Sequence, residues 1–368
     1  MDPARLTALL AHSVAVIVAN QASTGAYLAS PSFPVYRYSW LRDGAFIADA
    51  MSRAGRVESA EAFFAWCDRV VVARRDRIAS LIARGAVGES IPATDFLHTR
   101  FTVDGDDGDE EWEEFQLDGY GAWVWALVEH TRRHGRPIAS LEGARLSMHY
   151  ALAFWDHPNY DWWEEHGDQR HLSTLASLYG GAAALASVPE VPAEEREALQ
   201  AAMDRIRTCV VDAARPIGSL PKWLGNDAVD ASLLAVSTPF GLLAPDDPLM
   251  RRTTTRIEQE LVHDGGVHRY ARDVYFGGGE WVLLAGFLGW HQHRMGRRDA
   301  ALASLAWMAA QATPDLDLPE QVPTHLLFPD RYAGWVELRG PIATPLLWSH
   351  AMLLILADEL GLLAEALR

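Results

Sequence analysis

Apolar residues recur at steps of three and four along almost the whole chain, and a period near 3.6 is the mark of an amphipathic helix. The pattern marks twelve segments: 3–19, 42–54, 57–84, 116–134, 139–155, 172–187, 193–214, 227–236, 249–263, 280–295, 298–311 and 343–366. None has the strand-alternating βαβ rhythm that would argue for a parallel sheet. The predicted fold class is therefore all-α. An even number of helices near twelve, joined by alternately long and short connections, suggests six hairpins closed into a ring. Periodicity alone does not distinguish that ring from a helical solenoid.

The connections are of two kinds. Gly135-Arg136-Pro137 and Met295-Gly296-Arg297 are short and carry the residues of tight helical hairpins. The segments 20–40, 85–115, 156–171, 264–279 and 313–342 are long. Loops longer than about 12–15 residues in a compact domain are usually functional, which predicts a helical scaffold with one loop-built face. No Pro/Ser linker or low-complexity stretch interrupts the 368 residues, so a single domain over 1–368 is expected.

Composition narrows the partners. A net charge of −17 with no clustered basic patch argues against nucleic acid and against anionic membrane surfaces, and favours a small neutral ligand. The apolar run Leu6–Val18 is short for a membrane span and is broken by His12 and Ser13, and with two distant cysteines, Cys67 and Cys209, a reducing cytoplasmic setting is expected. Of 32 basic residues only Lys222 is lysine, a bias read here as that of a GC-rich genome. The 14 tryptophans fit a carbohydrate site, because the flat C–H faces of sugar rings pack on indoles; core packing is the competing explanation.

Several stretches carry candidate chemistry. In Asp161-Trp162-Trp163-Glu164-Glu165 two carboxylates adjoin two indoles, and desolvation beside apolar rings keeps a carboxyl protonated, as a general acid requires. A second carboxylate, Glu320, stands far away in Leu318-Pro319-Glu320-Gln321. Tyr36-Arg37-Tyr38-Ser39-Trp40-Leu41-Arg42-Asp43 puts an arginine fork and a carboxylate at a helix start, where they can clamp adjacent hydroxyls or simply cap the helix and pair at the surface. Asp118 reads as a helix cap. The acidic run 104–111 lacks the spacing of a calcium loop and reads as solvated and mobile. The histidines lack zinc-motif spacing, with His291 and His293 only two apart, and no phosphate-cradling loop occurs, so no metal or cofactor is expected.

In chain order, Tyr36 to Asp43, Trp112 with Gln116-Leu117-Asp118-Gly119-Tyr120-Gly121, Trp163-Glu164-Glu165, Arg269-Tyr270 leading to Gly278-Gly279-Glu280-Trp281, Leu318 to Gln321, and Pro345-Leu346-Leu347-Trp348-Ser349-His350-Ala351 resemble the glucoamylase-type glycoside hydrolases of family 15. The resemblance implies an (α/α)6 barrel and inverting exo-hydrolysis of α-glucosidic bonds from the non-reducing end. It implies Glu164 as general acid, Glu320 as general base with Gln321 placing its water, and Glu165 on the leaving-group sugar. Arg42, Asp43, Tyr36 and Trp40 would hold the terminal glucose, Trp112 and Trp163 would press on the acid and the sugar, and Arg269 would reach the sugar hydroxyls.

The chain also departs from the family pattern. The barrel begins almost at once, without the N-terminal β-sandwich of many bacterial members and without a carbohydrate-binding module. Trp162 and Glu280 replace the family's commoner residues, and both are expected to narrow or charge the approach to the site. A short oligosaccharide or disaccharide is expected over starch, with the linkage open among α-1,4, α-1,6 and α,α-1,1. An isomerase or epimerase using His350 and His171, and a non-catalytic sugar-binding protein, are the other readings.

Overall fold

A computed structural model describes residues 2–367, and its helices are α1 (Pro3–Ala19), α2 (Leu41–Arg53), α3 (Val57–Val72), α4 (Arg75–Ala86), α5 (Asp118–His134), α6 (Glu142–Ala153) and α7 (Leu172–Ala186). They continue with α8 (Ala193–Ala214), α9 (Pro248–Glu260), α10 (Val282–Arg294), α11 (Arg298–Ala310), α12 (Pro329–Arg339), α13 (Leu347–Glu359) and α14 (Leu363–Ala366). Their ends follow local chemistry. Asp2 accepts from the Ala4 amide ahead of Pro3, and Asp247 accepts from the Leu249 amide ahead of Pro248. The last turn of α5 stops at Gly135, whose φ of 61° is the left-handed closing conformation.

The packing resolves ring from solenoid. The inner wall runs α2, α5, α7, the 3-10 segment Ala231–Val236, α10 and α13, and α13 packs back on α2. Each inner element carries an outer partner: α3, α6, α8, α9, α11 and, for α13, the N-terminal α1. Six hairpins thus close into an (α/α)6 barrel. Burial follows position: α13 is buried continuously from Leu347 to Ala357, whereas α9 buries only Met250, Thr253, Thr254 and Ile257. At the crossing of α5 and α7 a Cβ on Gly121 would lie 2.2 Å from the Ser177 carbonyl oxygen, so glycine sets how closely these helices approach.

Rings fill the barrel axis. Phe46 stacks on Trp348 at 5.3 Å and meets Phe287 edge-on at 5.1 Å, while Trp162 leans on both Phe287 and Trp348. Three antiparallel pairs of two-residue strands lie among the loops: Ser39–Trp40 with Arg100–Phe101, Val262–His263 with Gly266–Val267, and Glu280–Trp281 with Gln321–Val322.

Several predicted elements differ. The segment 57–84 is two helices, broken at Ala73 and Arg74, where the Arg74 guanidinium meets the Val70 and Gly105 carbonyls and Asp107. Segment 227–236 yields only the 3-10 turn, opened by Asp230 accepting from the Ser232 amide at 2.8 Å. The predicted loop 313–342 contains α12, a short helix with no fully buried residue, whose Tyr332, Trp335 and Val336 pack on the small cluster of Phe33, Phe276 and Ala343. The segment 343–366 is two helices, α13 and α14, and α13 starts at Leu347 rather than 343, since Pro345 supplies no amide and disfavours helix before it. No helix among the described residues is long and apolar enough to cross a membrane, and both cysteines are free.

Candidate active site

A cavity of about 290 Å³ opens on the loop-built face, at the N-terminal ends of inner helices. Of the residues singled out from sequence, Tyr36, Trp40, Arg42, Asp43, Trp112, Trp163, Glu164, Glu165, Arg269 and Glu320 all line it. Gln321 does not; its side-chain oxygen accepts from the Gly279 amide at 3.0 Å and the side chain is buried behind the wall.

Glu164 sits in a turn shaped by Asp161, whose Oδ1 accepts from the amides of Trp163 and Glu165, both at 2.9 Å. The Glu164 amide donates to the Asp161 carbonyl at 3.0 Å. These bonds hold Glu164 at φ 63°. That left-handed conformation costs a residue with a side chain about 1–3 kcal/mol. Oε1 of Glu164 accepts from Trp40 Nε1 at 2.7 Å and from Gln116 Nε2 at 3.0 Å, with Arg42 Nη2 at 3.9 Å. Both protein hydrogen bonds therefore fall on one oxygen, and Oε2 has none.

Behind this turn lies the chain's one lysine. Lys222 Nζ stands 3.2 Å from Asp161 Oδ2 and 2.7 Å from Asp230 Oδ2, and Asp230 in turn accepts from Trp163 Nε1 at 2.9 Å. Burial opposes the charge on Asp161, yet the Lys222 ammonium outweighs it and holds that carboxyl below its ordinary range.

Glu320 is 2% exposed, with Oε1 accepting from the Tyr36 hydroxyl at 3.0 Å and Oε2 buried without a partner. Burial pushes its pKa up to about 7 against the Tyr36 hydroxyl and the Arg269 charge. Tyr36 is itself 3.0 Å from the Tyr275 hydroxyl. Asp43 also rises to about 7, through burial first and then the nearby Glu164 and Asp118 charges, with Arg42 opposing.

The bland readings of Arg42 and Asp118 fail. Arg42 is 3% exposed and its Nη1 donates to Gln116 Oε1 at 2.7 Å and to Asp118 Oδ2 at 2.9 Å; neither a surface pair nor a cap describes this. Gln116 thus bridges Arg42 to Glu164. Glu165, read as a ligand for the neighbouring sugar, has both oxygens engaged, one by Arg269 Nη2 at 3.2 Å and the other by the Tyr270 hydroxyl. Arg269 is forked onto Asp273, with Nε 2.7 Å from Oδ2, and lies against Trp163 and Trp281.

The acidic run 104–111 is structured in part. Asp107 accepts from Arg77 at 2.9 Å, and Glu110 lies 3.4 Å from Arg100, whose guanidinium covers Trp112 at 4.0 Å. That stack positions Trp112 on the wall. Trp162 is 2% exposed and forms floor rather than approach, and Glu280 points away from the cavity toward His325. His350 and His171 line no part of the cavity, which removes the proton shuttles of the epimerase reading. Trp348, Tyr275, Trp281 and, from α12, Trp335 and Arg339 also line the cavity. Of these only Trp348 and Trp281 stand within recognisable motifs; Tyr275 carries no sequence signal, and α12 only the short set Tyr332, Trp335 and Val336 after Pro329.

Two carboxyl groups from segments more than 150 positions apart share this cavity, one with an oxygen pinned by donors and one buried. The family described as glycosyl hydrolases family 15 matches residues 3–314. The chain is 49% identical to an isomaltose glucohydrolase of Kribbella flavida, over 99% of this chain and 95% of that protein. A solved glycosidase variant in complex with glucose superimposes with a TM-score of 0.92 at 48% identity, covering 98% of this chain and 99% of that one. The glucoamylase of Saccharomycopsis fibuligera shares the fold, with a TM-score of 0.68 at 15% identity, over 99% of this chain and 96% of its own.

Proposed function

Starting from the fact that the chain belongs to glycosyl hydrolases family 15 and is a glucose-releasing glycoside hydrolase, we propose that it acts with inversion on the non-reducing end of a short α-glucoside. Isomaltose is the favoured substrate. The near full-length similarity to an isomaltose glucohydrolase supports the α-1,6 linkage, and the small cavity with Trp335 and Arg339 on its wall supports a disaccharide over a long chain.

The single observation that carries the reading is that Glu164 and Glu320 line one cavity, each with one oxygen free of protein hydrogen bonds. Glu164 protonates the glycosidic oxygen from Oε2, while Trp40 and Gln116 keep Oε1 in place. Glu320 takes a proton from water through Oε2, and the water oxygen bonds to the anomeric carbon as the leaving oxygen departs. Inversion requires room for that water, about 6.5–9.5 Å between the carboxyl groups. Arg42 and Asp43, with the buried polar atoms Arg42 Nε and Asp43 Oδ2 free of protein hydrogen bonds, suit the hydroxyls of the terminal glucose.

Proton NMR of isomaltose, maltose and trehalose with the unmodified protein tests this. Early β-glucose from isomaltose is the expected result. Early α-glucose would overturn inversion, and turnover of maltose or trehalose alone would overturn the linkage.

A further inference from the structure

Outside the cavity, one cluster has donor chemistry that hydrolysis leaves unused. His263 and Asp264 sit at the turn between Val262–His263 and Gly266–Val267, Glu280 lies on the strand paired with Gln321–Val322, and His325 follows that strand. One ligand atom from each of His263, Glu280 and His325 lies within 4.8 Å of the others. His325 Nδ1 is 2.9 Å from Glu280 Oε1, and its Nε2 is 3.6 Å from Asp264 Oδ2. The rings of His263 and His325 are 3.9 Å apart.

Three further features show that the place is built. Glu280 is 1% exposed, and no arginine or lysine pairs with it among the described residues, which leaves a buried carboxylate facing imidazoles alone. A Cβ on Gly266 would fall 2.2 Å from Glu280 Cδ, so the opposing backbone is thinned to admit this side chain. His325 holds left-handed backbone at φ 51°, uncommon for a residue with a side chain, whereas the φ of 45° at Asp264 is that of an ordinary two-residue Asp-Gly hairpin turn.

We infer that His263, Glu280 and His325 bind a divalent transition-metal ion, Zn²⁺ first among them, with Asp264 accepting from the second nitrogen of His325. Two imidazoles and a carboxylate form a known zinc donor set that leaves a fourth position open. A carboxylate on the outer nitrogen of a ligating histidine fixes its tautomer and ring orientation. The other three-donor cluster, His12, Asp317 and His350, fails this test: His350 Nε2 accepts from the Leu318 amide at 2.9 Å and Nδ1 is spent on Ser13. At the Glu280 site the ion would tie the 262–267 hairpin and the chain at His325 to the strand pair that presents Glu320.

The test uses the full chain without a histidine tag, stripped with EDTA and titrated with CoCl2. The expected result is one equivalent bound with the visible d–d bands of four-coordinate cobalt, displaced by Zn²⁺, and a Zn²⁺-dependent rise in melting temperature. His263→Ala, at an exposed position, and His325→Ala should each abolish the bands, while Asp264→Asn should weaken affinity by about 10–100-fold. Absence of stoichiometric binding by the unmodified chain, or bands unchanged in His263→Ala and His325→Ala, would overturn the site. Circular dichroism and retained hydrolysis establish that each variant is folded.

Discussion

The two walls that carry the carboxylates are held by different forces. The Glu164 turn is braced by charge: Asp161 shapes it, Lys222 and Asp230 compensate it, and Arg269 with Asp273 grips Glu165. The Glu320 segment is braced by backbone and burial. Its own amide donates to the Ala343 carbonyl, Leu318 exchanges bonds with His350 and Leu346, and Gln321–Val322 pairs with Glu280–Trp281. A proposed acid that must lose its proton every turnover thus sits on a turn held by ion pairs. A proposed base whose pKa is raised sits deeply buried, and desolvation does the raising against the Tyr36 hydroxyl and the Arg269 charge. One wall should fail when a charge is deleted, and the other when a buried partner is left unsatisfied.

The largest expected effect is loss of either carboxylate itself. Glu164→Gln and Glu320→Gln should each lower kcat on isomaltose by about 10²–10⁴-fold, read by glucose release, with melting temperature close to that of the unmodified protein. Lys222→Met comes next. It leaves Asp161 and Asp230 buried without their cation, a loss of about 3–5 kcal/mol in denaturant unfolding, and kcat should fall with it because Asp161 sets the Glu164 turn. Unchanged kcat in a destabilised Lys222→Met would break the comparison.

On the other wall, His350→Phe strands the buried Leu318 amide and should cost about 1–3 kcal/mol in the same unfolding measurement. Here kcat should stay near its starting value, since several backbone bonds still seat Glu320. A kcat loss matching that of Lys222→Met would erase the distinction between the walls.

The smallest effect is a shift in pH profile. Glu320 must be ionised to accept a proton, and with a pKa of about 7 its ionised fraction falls as pH drops through that value. The acidic limb of kcat/KM should therefore lie near 7 and fall about tenfold per pH unit below it. Because the Tyr36 hydroxyl favours the charged form, Tyr36→Phe should move that limb upward. A limb that moves down, or not at all, would show that the Tyr36 hydroxyl does not favour the ionised form of Glu320.

Much of this was legible in advance, for identifiable reasons. Helices announce themselves through a local period, so eleven of the twelve marked segments contain an α-helix, the exception being the 3-10 turn at Ala231–Val236. That exception is itself physical: Asp230 opens the turn through a local bond to the Ser232 amide, but its place between α7 and α10 comes from packing that is not local. Asp161 to Glu165 and Leu318 to Gln321 were legible because their residue types are unusual in sequence. Lys222 stands out in the sequence only as the single lysine among 32 basic residues, which gives no hint that it is buried between two aspartates. Gln116 and Asp118 were visible, but their service to Arg42 needed the fold. Tyr275 had no signal, and α12 had only a short one, Pro329 followed by Tyr332, Trp335 and Val336, inside a long loop.

What the sequence alone determined is what short-range physics decides: helix period, caps at Asp2 and Asp247, the closing glycine of α5, and the order of the motifs. Only the tertiary structure decided which ends of the helices converge, that Glu164 and Glu320 share a cavity, and that His263, Glu280 and His325 meet. Charge pairing and desolvation act through space between residues remote in the chain, and their strength depends on burial that exists only once the ring has closed.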